Sequence, residues 1–457
     1  MATYTKEDVD QIKRAALQHL WVYMREPSEM AEKGGPPIFV GGQGCRVTDI
    51  EGNTYLDCMS GLWLKNVGYG RREIADAAYQ QMLELTYMPA GSTSVPTVKL
   101  AEKLAQITPG DLDRCFFTSG GSESVETALK IARAYQRRRG EAGRYRIISR
   151  RGSYHGATFG AMALGGMASM PRTDYEPLMP GAVHAPQPNP YRCELGGETP
   201  EECASRCANA VEDLIKFYGD QTVAAVIAEP IASPPGVAVP GPNYWPMLRD
   251  ICDRHGVLLI ADEVITGFGR TGRMFACEHW GVTPDIMTVA KGITSGYIPM
   301  GAAIARKEIA DAFVGSEDAS FRHILTFGGH PVAAAAALRN IQIMEDEELP
   351  QNAEVVGAYL LDGLRELQTR HPIIGDVRGM GLMCGLELVK DRETKENFPS
   401  DVKLGDRLSD LFRERGLLLR GGDAMNVVPP LCATRDDIDE IISVMDDSFG
   451  MLEPQLL

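Results

Sequence analysis

The chain has 457 residues, 44% hydrophobic and 24% charged, enough for a large core and more than one domain. Its net charge of -16 excludes a nucleic-acid surface, because phosphate contacts need clustered Lys and Arg that are not offset by acids. Ten cysteines in this length are too sparse for a disulfide scaffold, and no apolar run approaches a membrane span.

The N-terminus, MATYTKEDVDQIKRAALQHLW, lacks the uninterrupted apolar stretch of a signal peptide, so a cytoplasmic location is expected. A helix is predicted over 5–25, followed by the hairpin-like GCRVTDIEGNTYLDC. From about residue 112 to 306, short runs rich in Val and Ile alternate with segments of helical periodicity. That is the α/β pattern of a doubly wound, mostly parallel sheet, with DRCFFTS, YRIISR, VAAVIAE, VLLIADEV, IMTVAK and MGAAIAR as its strands.

After the first of these strands a helix is expected to start with Ser122 as its cap, with Glu123 and Glu126 in the first turn. Val125, Leu129 and Ala132 mark its buried stripe. The basic run Arg137-Arg138-Arg139 ends that helix, where cations complement the dipole. Cys193, Cys203 and Cys207 cluster in a polar stretch, but their spacing fits no standard zinc pattern and no metal is expected.

Beyond about residue 335 come helical stretches at 333–346 and 352–370, then RGMGLMCGLELV, another helix, GLLLR, VVPPL and a final helix from 435. This reads as a smaller α+β domain completed by the N-terminal segment. Residues 1–60 and 335–457 would form it, and 61–334 the large domain.

In open α/β sheets ligands sit outside the carboxyl ends of the strands, so the residues that end each apolar run are informative. They are Gly120-Gly121-Ser122, Tyr154-His155, Glu229, Asp262 and Lys291. A half-buried lysine at such a place loses its proton readily and becomes a nucleophile for a carbonyl; alone, the same lysine could equally snorkel to solvent. A carboxylate buried behind VLLIA needs a cation, which a pyridinium nitrogen or a structural arginine would supply. Protonated, that ring is an electron sink. The Gly120-Gly121-Ser122 turn at a helix start is an anion site, suited to a cofactor phosphate.

Rival functions are weaker. VLLIADE resembles the apolar strand and acidic pair of a nucleotide hydrolase, but no lysine follows a glycine and the phosphate loop is missing. GFGRTG at 267–272 matches a dinucleotide fingerprint without a clear helix opening after it. GGSES lacks the second glycine of a serine hydrolase elbow. A non-catalytic binding module would require Lys291 to be unable to form an imine.

The stretch VLLIADEVITGFGRTGRMFACEHWGVTPDIMTVAKGITSGYIPMGA closely resembles the signature of class III, or ω-, aminotransferases, which are pyridoxal 5'-phosphate (PLP) enzymes of the aspartate aminotransferase-like fold type I. A looser likeness runs from about Leu17 to Ile442, through FFTSGGSESVETALKIARAY, GSYHGATFGAMA, AEPI and LTFGGHPVAAAAAL. The resemblance implies that Lys291 carries PLP as a Schiff base, Asp262 contacts the ring nitrogen, and Val264 and Tyr154 sandwich the ring. Gly121 and Ser122, beside Gly120, would bind the phosphate, with His155 and Glu229 in support. Thr326 would reach the phosphate of a neighbouring subunit, implying a homodimer with shared active sites.

Ile265 stands where ornithine and γ-aminobutyrate type enzymes usually place a glutamine, which favours the amine:pyruvate branch. In that branch Trp63 and Tyr23 would wall the substrate pocket, and Arg420, in GLLLRGGDAMNVVPPL, would pair with a substrate carboxylate. The expected reaction is ping-pong transfer of an amino group from an amine or ω-amino acid to pyruvate. The alternatives are β-alanine, taurine, γ-aminobutyrate or a diamine with another oxo acid.

Overall fold

The computed structural model describes residues 4–89, 91–167, 172–234 and 236–456. Its strands are, in chain order, β1 (Phe39–Gln43), β2 (Arg46–Asp49), β3 (Thr54–Asp57), β4 (Leu112–Thr118), β5 (Arg146–Arg150), β6 (Ala182–Ala185), β7 (Val223–Ala228), β8 (Leu258–Asp262), β9 (Ile286–Val289), β10 (Gly301–Arg306), β11 (Ile374–Gly379), β12 (Cys384–Leu388), β13 (Leu417–Leu418) and β14 (Ala424–Val427).

The central sheet has the order β4-β10-β9-β8-β7-β5-β6. Strands β6, β5, β7, β8 and β9 pair in parallel, whereas β10 is antiparallel to both β9 and β4. Two antiparallel steps restore the direction of β4, so β10 alone runs against the rest and the sheet is mostly parallel, as the alternating pattern predicts. Every residue of β7, β8 and β9 is buried. Helices cover both faces of the sheet, which is why these strands read as unbroken apolar runs. β6 had no expected counterpart, since AVHA is only four residues long and lies between Gly181 and Pro186.

The helix Gly121–Arg138 buries Val125, Leu129 and Ala132 as expected, but its cap is Gly120, not Ser122. Glu123 explains the earlier start: its carboxylate accepts from the Ser119 N–H (2.8 Å) and the Ser119 hydroxyl (2.6 Å) in the preceding turn. The predicted helix over 5–25 is shorter, running Lys6–His19 with a Thr5–Asp8 capping box, and it is followed by a separate helix Pro27–Glu32. No residue of the first helix is buried, so no packed face extends it past Leu20.

The two chain ends meet in one sheet, ordered β1-β2-β3-β13, where Leu417 and Leu418 pair in parallel with Leu56 and Asp57. A third sheet, β11-β12-β14, lies beside it in sequence. Arg270, from the GFGRTG run, ties these parts together: its buried guanidinium donates to the carbonyls of Leu382 (3.1 Å) and Pro429 (2.5 Å), the Ser60 hydroxyl (3.2 Å) and the Asn66 amide oxygen (3.0 Å). Gly269 and Gly272 adopt positive φ in that run and only a short 3-10 helix, Ala276–Trp280, follows. The glycines therefore make turns and do not open a dinucleotide-binding helix.

Candidate active site

The unusual strand-end residues converge at the carboxyl edge of the central sheet. β8 ends in Asp262, β9 is followed by Lys291, β7 by Glu229, and β5 by the loop bearing Tyr154 and His155. Asp262 is buried and held on both oxygens: His155 Nδ1 donates to Oδ2 (2.7 Å), while the Thr288 hydroxyl (3.0 Å) and the Val264 N–H (3.2 Å) donate to Oδ1. Behind it stands a second buried carboxylate, Glu229, which accepts from Arg150 Nη2 (2.8 Å) and the Tyr154 N–H (3.0 Å) and lies 3.8 Å from His155 Nε2.

Charge alternates along this chain of contacts, from Arg150 through Glu229 and His155 to Asp262. Burial alone would strip the proton from His155, but the carboxylates of Glu229 and Asp262 overcome it and raise its pKa. Burial likewise opposes ionisation of Glu229, yet His155 and Arg150 bring its pKa below the usual carboxylate range. The neighbouring Glu263 plays no part here: its carboxylate accepts from the Cys277 N–H (2.8 Å) and the Thr266 hydroxyl, closing the following loop.

Lys291 is half-buried, and burial lowers its pKa to about 8 against the opposing pull of Asp262 and Glu229. Among the described residues its amine has no hydrogen bond or ion pair, and the Trp63 ring lies 5.7 Å from Nζ to the centroid. Both residues sit in left-handed backbone, Lys291 at φ 47° and Trp63 at φ 55°, a conformation costing about 1–3 kcal/mol at each. The Lys291 turn is held by Asn340, whose side-chain amide donates to the carbonyls of Gly292 (2.9 Å) and Ile293 (3.0 Å). Gly292 admits no side chain, since a Cβ there would lie 2.6 Å from the Asn66 amide.

The start of the helix Gly121–Arg138 faces the same loop. Ser122 Oγ accepts from the Ala157 N–H (3.0 Å), which leaves its own O–H free to donate. A Cβ at Gly120 would meet nothing within 4 Å, whereas one at Gly121 would press on Val264 at 2.9 Å, so the glycines keep an open cradle against Val264. Tyr154 and Val264 are half-buried at its sides.

Three expected site residues are joined to this cluster by no hydrogen bond or ion pair among the described residues. Tyr23, Thr326 and Arg420 are exposed, and Arg420 joins no ion pair or hydrogen bond among the described residues. The Thr326 carbonyl accepts from the Tyr87 hydroxyl. Conversely, Arg150 and Thr288 were not singled out from the sequence, although both lie inside quoted strands; a strand-end Arg and a Thr within an apolar run were the signals available.

Residues 30–449 match the aminotransferase class-III family. The chain belongs to that family. A putrescine–pyruvate aminotransferase of Pseudomonas aeruginosa is 40% identical over 91% of both chains. Among solved structures, an (S)-enantioselective ω-transaminase of Thermomicrobium roseum superposes with a TM-score of 0.93 at 41% identity, covering 99% of this chain and 100% of its own. An amine transaminase from an uncultivated Pseudomonas species, in PLP-bound form, superposes with a TM-score of 0.90 at 39% identity, covering 95% and 98%.

The protein is thus a PLP-dependent aminotransferase of fold type I. Its residues fit that cofactor: an unpartnered amine of lowered pKa, a buried carboxylate held in place, and a glycine cradle at a helix start. No helix is long and apolar enough to cross a membrane among the described residues.

Proposed function

We propose that this enzyme moves an amino group from an amine or ω-amino acid to pyruvate by a ping-pong mechanism, with Lys291 as its catalytic residue. The observation that carries the reading is the pairing of an amine of lowered pKa, Lys291, with the fixed carboxylate Asp262 at the ends of adjacent strands. PLP, when bound, supplies a carbonyl for the amine and a ring that takes up the electron pair left when the substrate carbon loses its proton.

The chain does the rest. Lys291 accepts the proton from the substrate carbon and returns it as general acid. Asp262 keeps the ring nitrogen protonated, and His155 and Thr288 keep Asp262 from turning away. The Ser122 hydroxyl and the N–H groups of Gly120 and Gly121 hold the phosphate at the helix start. Tyr154 and Val264 flank the ring, while Glu229 positions the Tyr154-His155 loop. Trp63 walls the substrate side, and Arg420 and Tyr23 complete the pocket, with Arg420 pairing the pyruvate carboxylate.

Pyruvate as acceptor is supported by Ile265 and by the putrescine–pyruvate relative; a diamine donor, or β-alanine, taurine or γ-aminobutyrate with another oxo acid, is the second reading. A homodimer is supported by a set of exposed apolar side chains. They include Leu83 (66% exposed), Val95 and Val98 on the helices Arg72–Glu84 and Val95–Ile107, Tyr87, whose hydroxyl donates to the Thr326 carbonyl, and Ile324 (80% exposed) and Phe327 on either side of Thr326. A second copy covering that surface would bring Thr326 to its neighbour's phosphate. All ten cysteines are unpaired, which suits a cytoplasmic setting.

The test is an absorbance spectrum of the PLP-loaded protein through both half-reactions. The visible band should bleach with (S)-1-phenylethylamine and return with pyruvate. Recovery with 2-oxoglutarate and not with pyruvate would move the acceptor, and failure to bleach with any amine would refute the proposal.

A further inference from the structure

Away from the active site, the structure draws together the three thiols that cluster in the sequence but whose spacing fits no standard zinc pattern. Cys203 and Cys207 lie one turn apart on the helix Pro200–Tyr218, both fully buried, and Cys193 comes from the loop before it. Their sulfur atoms all lie within 4.8 Å of one another, and among the described residues no other group of three or more His, Cys, Asp or Glu side chains converges this way.

Local backbone chemistry builds the cluster. Gly196 turns the loop at φ 68°, and Gly197 then rests directly on the helix, where a Cβ would lie 2.5 Å from the Cys203 nitrogen. The Gly197 N–H donates to Cys193 Sγ (3.3 Å), and Arg206, on the same helix, clasps the loop through the carbonyls of Leu195 (2.7 Å) and Gly196 (3.0 Å). Cys193 is half-buried and opens on a cleft of about 580 Å³ bordered by Arg192, Glu198 and Lys395.

We propose that Cys193, Cys203 and Cys207 form a binding site for one thiophilic closed-shell metal ion, Zn²⁺ or Cu⁺. With metal–sulfur bonds of about 2.3 Å, three bound sulfurs stand about 3.8–4.0 Å apart, so this cluster closes on an ion by shifts of under about 1 Å. Three reduced thiols packed as core side chains would account for the burial of Cys203 and Cys207 but not for a third, half-buried sulfur aimed at them beside a cleft.

Each thiol gives up its proton on binding, so up to three protons leave as three metal–sulfur bonds form. The product carries one negative charge with Zn²⁺ and two with Cu⁺. Arg192 and Lys395 border the cleft together with Glu198, Arg206 holds the loop, and Cys203 sits in the first turns of a helix whose dipole favours anions. Without metal the Cys207 thiol donates to the Gln187 carbonyl (3.5 Å). No fourth His, Asp or Glu joins the cluster among the described residues, so Zn²⁺ would take a solvent ligand from the cleft and Cu⁺ would remain three-coordinate.

The experiment uses the PLP-loaded full chain, reduced and stripped with chelator under nitrogen, then equilibrated separately with Zn²⁺ and Cu⁺ against chromogenic competitors. Bound metal is counted by mass spectrometry, and its shell is read by X-ray absorption. One ion per chain with three sulfurs is expected, with an added oxygen or nitrogen in the zinc form only. Cys193→Ser, on the loop and away from the core, should weaken binding at least about tenfold with the visible cofactor band unchanged. Cys45→Ser, whose sulfur lies 3.7 Å from Cys432, should leave binding unchanged. Failure of the wild type to hold an ion at micromolar free metal, or equal binding by Cys193→Ser, would overturn the proposal.

Discussion

Removing the Lys291 amine should make the cofactor-free protein more stable at neutral pH and less so in alkali. The pKa of Lys291 falls from 10.5 to about 8 through burial, so between these values the unfolded chain binds more protons than the folded one and stability rises with pH. At pH 7 the folded protein bears nearly the full difference, about 3 kcal/mol at 1.36 kcal/mol per pKa unit. At pH 9.5 most folded molecules already have a neutral amine, and the penalty drops to about 1.4 kcal/mol.

Lys291→Met keeps the length of the side chain and discards the charge. Its left-handed backbone cost is unchanged, so the pH dependence isolates the proton. Thermal midpoints of cofactor-free wild type and variant should therefore differ by several degrees at pH 7, with the variant higher, and converge as pH rises towards 10.5. The same proton governs reactivity: at pH 7 about one-tenth of the wild-type amines are neutral, against about one in three thousand for a solvated lysine. Equal midpoints at pH 7, or a difference that holds constant to pH 9.5, would show that Lys291 is solvated like any surface lysine and is not primed by burial.

Three further outcomes follow from the same geometry. Asp262→Asn retains the hydrogen bonds to Thr288 and Val264 but loses the charge facing the ring nitrogen, and kcat for the amine half-reaction should fall roughly 10²–10³-fold by stopped-flow while the cofactor stays bound. Glu229→Gln leaves Arg150 and His155 buried without their shared anion; chemical denaturation should show a loss of about 3–5 kcal/mol, and the imidazole pKa followed by NMR should fall. Arg420→Ala should raise KM for pyruvate at least about tenfold, the worth of one charge-assisted pair, with bleaching by (S)-1-phenylethylamine unchanged.

The reactive centre was legible in the sequence because each apolar run stops at a residue that apolar surroundings do not tolerate alone. VLLIA runs into Asp262 and IMTVA into Lys291, and strand polarity in a parallel sheet then puts both at one edge. What holds those residues was not legible. Arg150 meets Glu229 only because β5 pairs with β7, and that register is fixed by packing of both faces, not by any local pattern. The helix start at Gly120 depends on Glu123 reaching back to Ser119, a choice a Gly-Gly-Ser run leaves open. Spacing rules missed the convergence of Cys193 with Cys203 and Cys207 because they count residues along the chain, whereas Gly197 brings the loop onto the helix in space.

The buried charges also bear on how the pKa of Lys291 falls beside two carboxylates. Left unpaired, Asp262 and Glu229 would each favour the ammonium more strongly. They are not unpaired: Arg150 is bonded to Glu229, and His155 stands between Glu229 and Asp262 and donates to the latter. Burial outweighs the pull of both carboxylates on the ammonium, and the pKa falls. Arg150 lies one contact beyond the residues that would touch cofactor, and through its hydrogen bond it holds Glu229, which in turn accepts from the Tyr154 N–H.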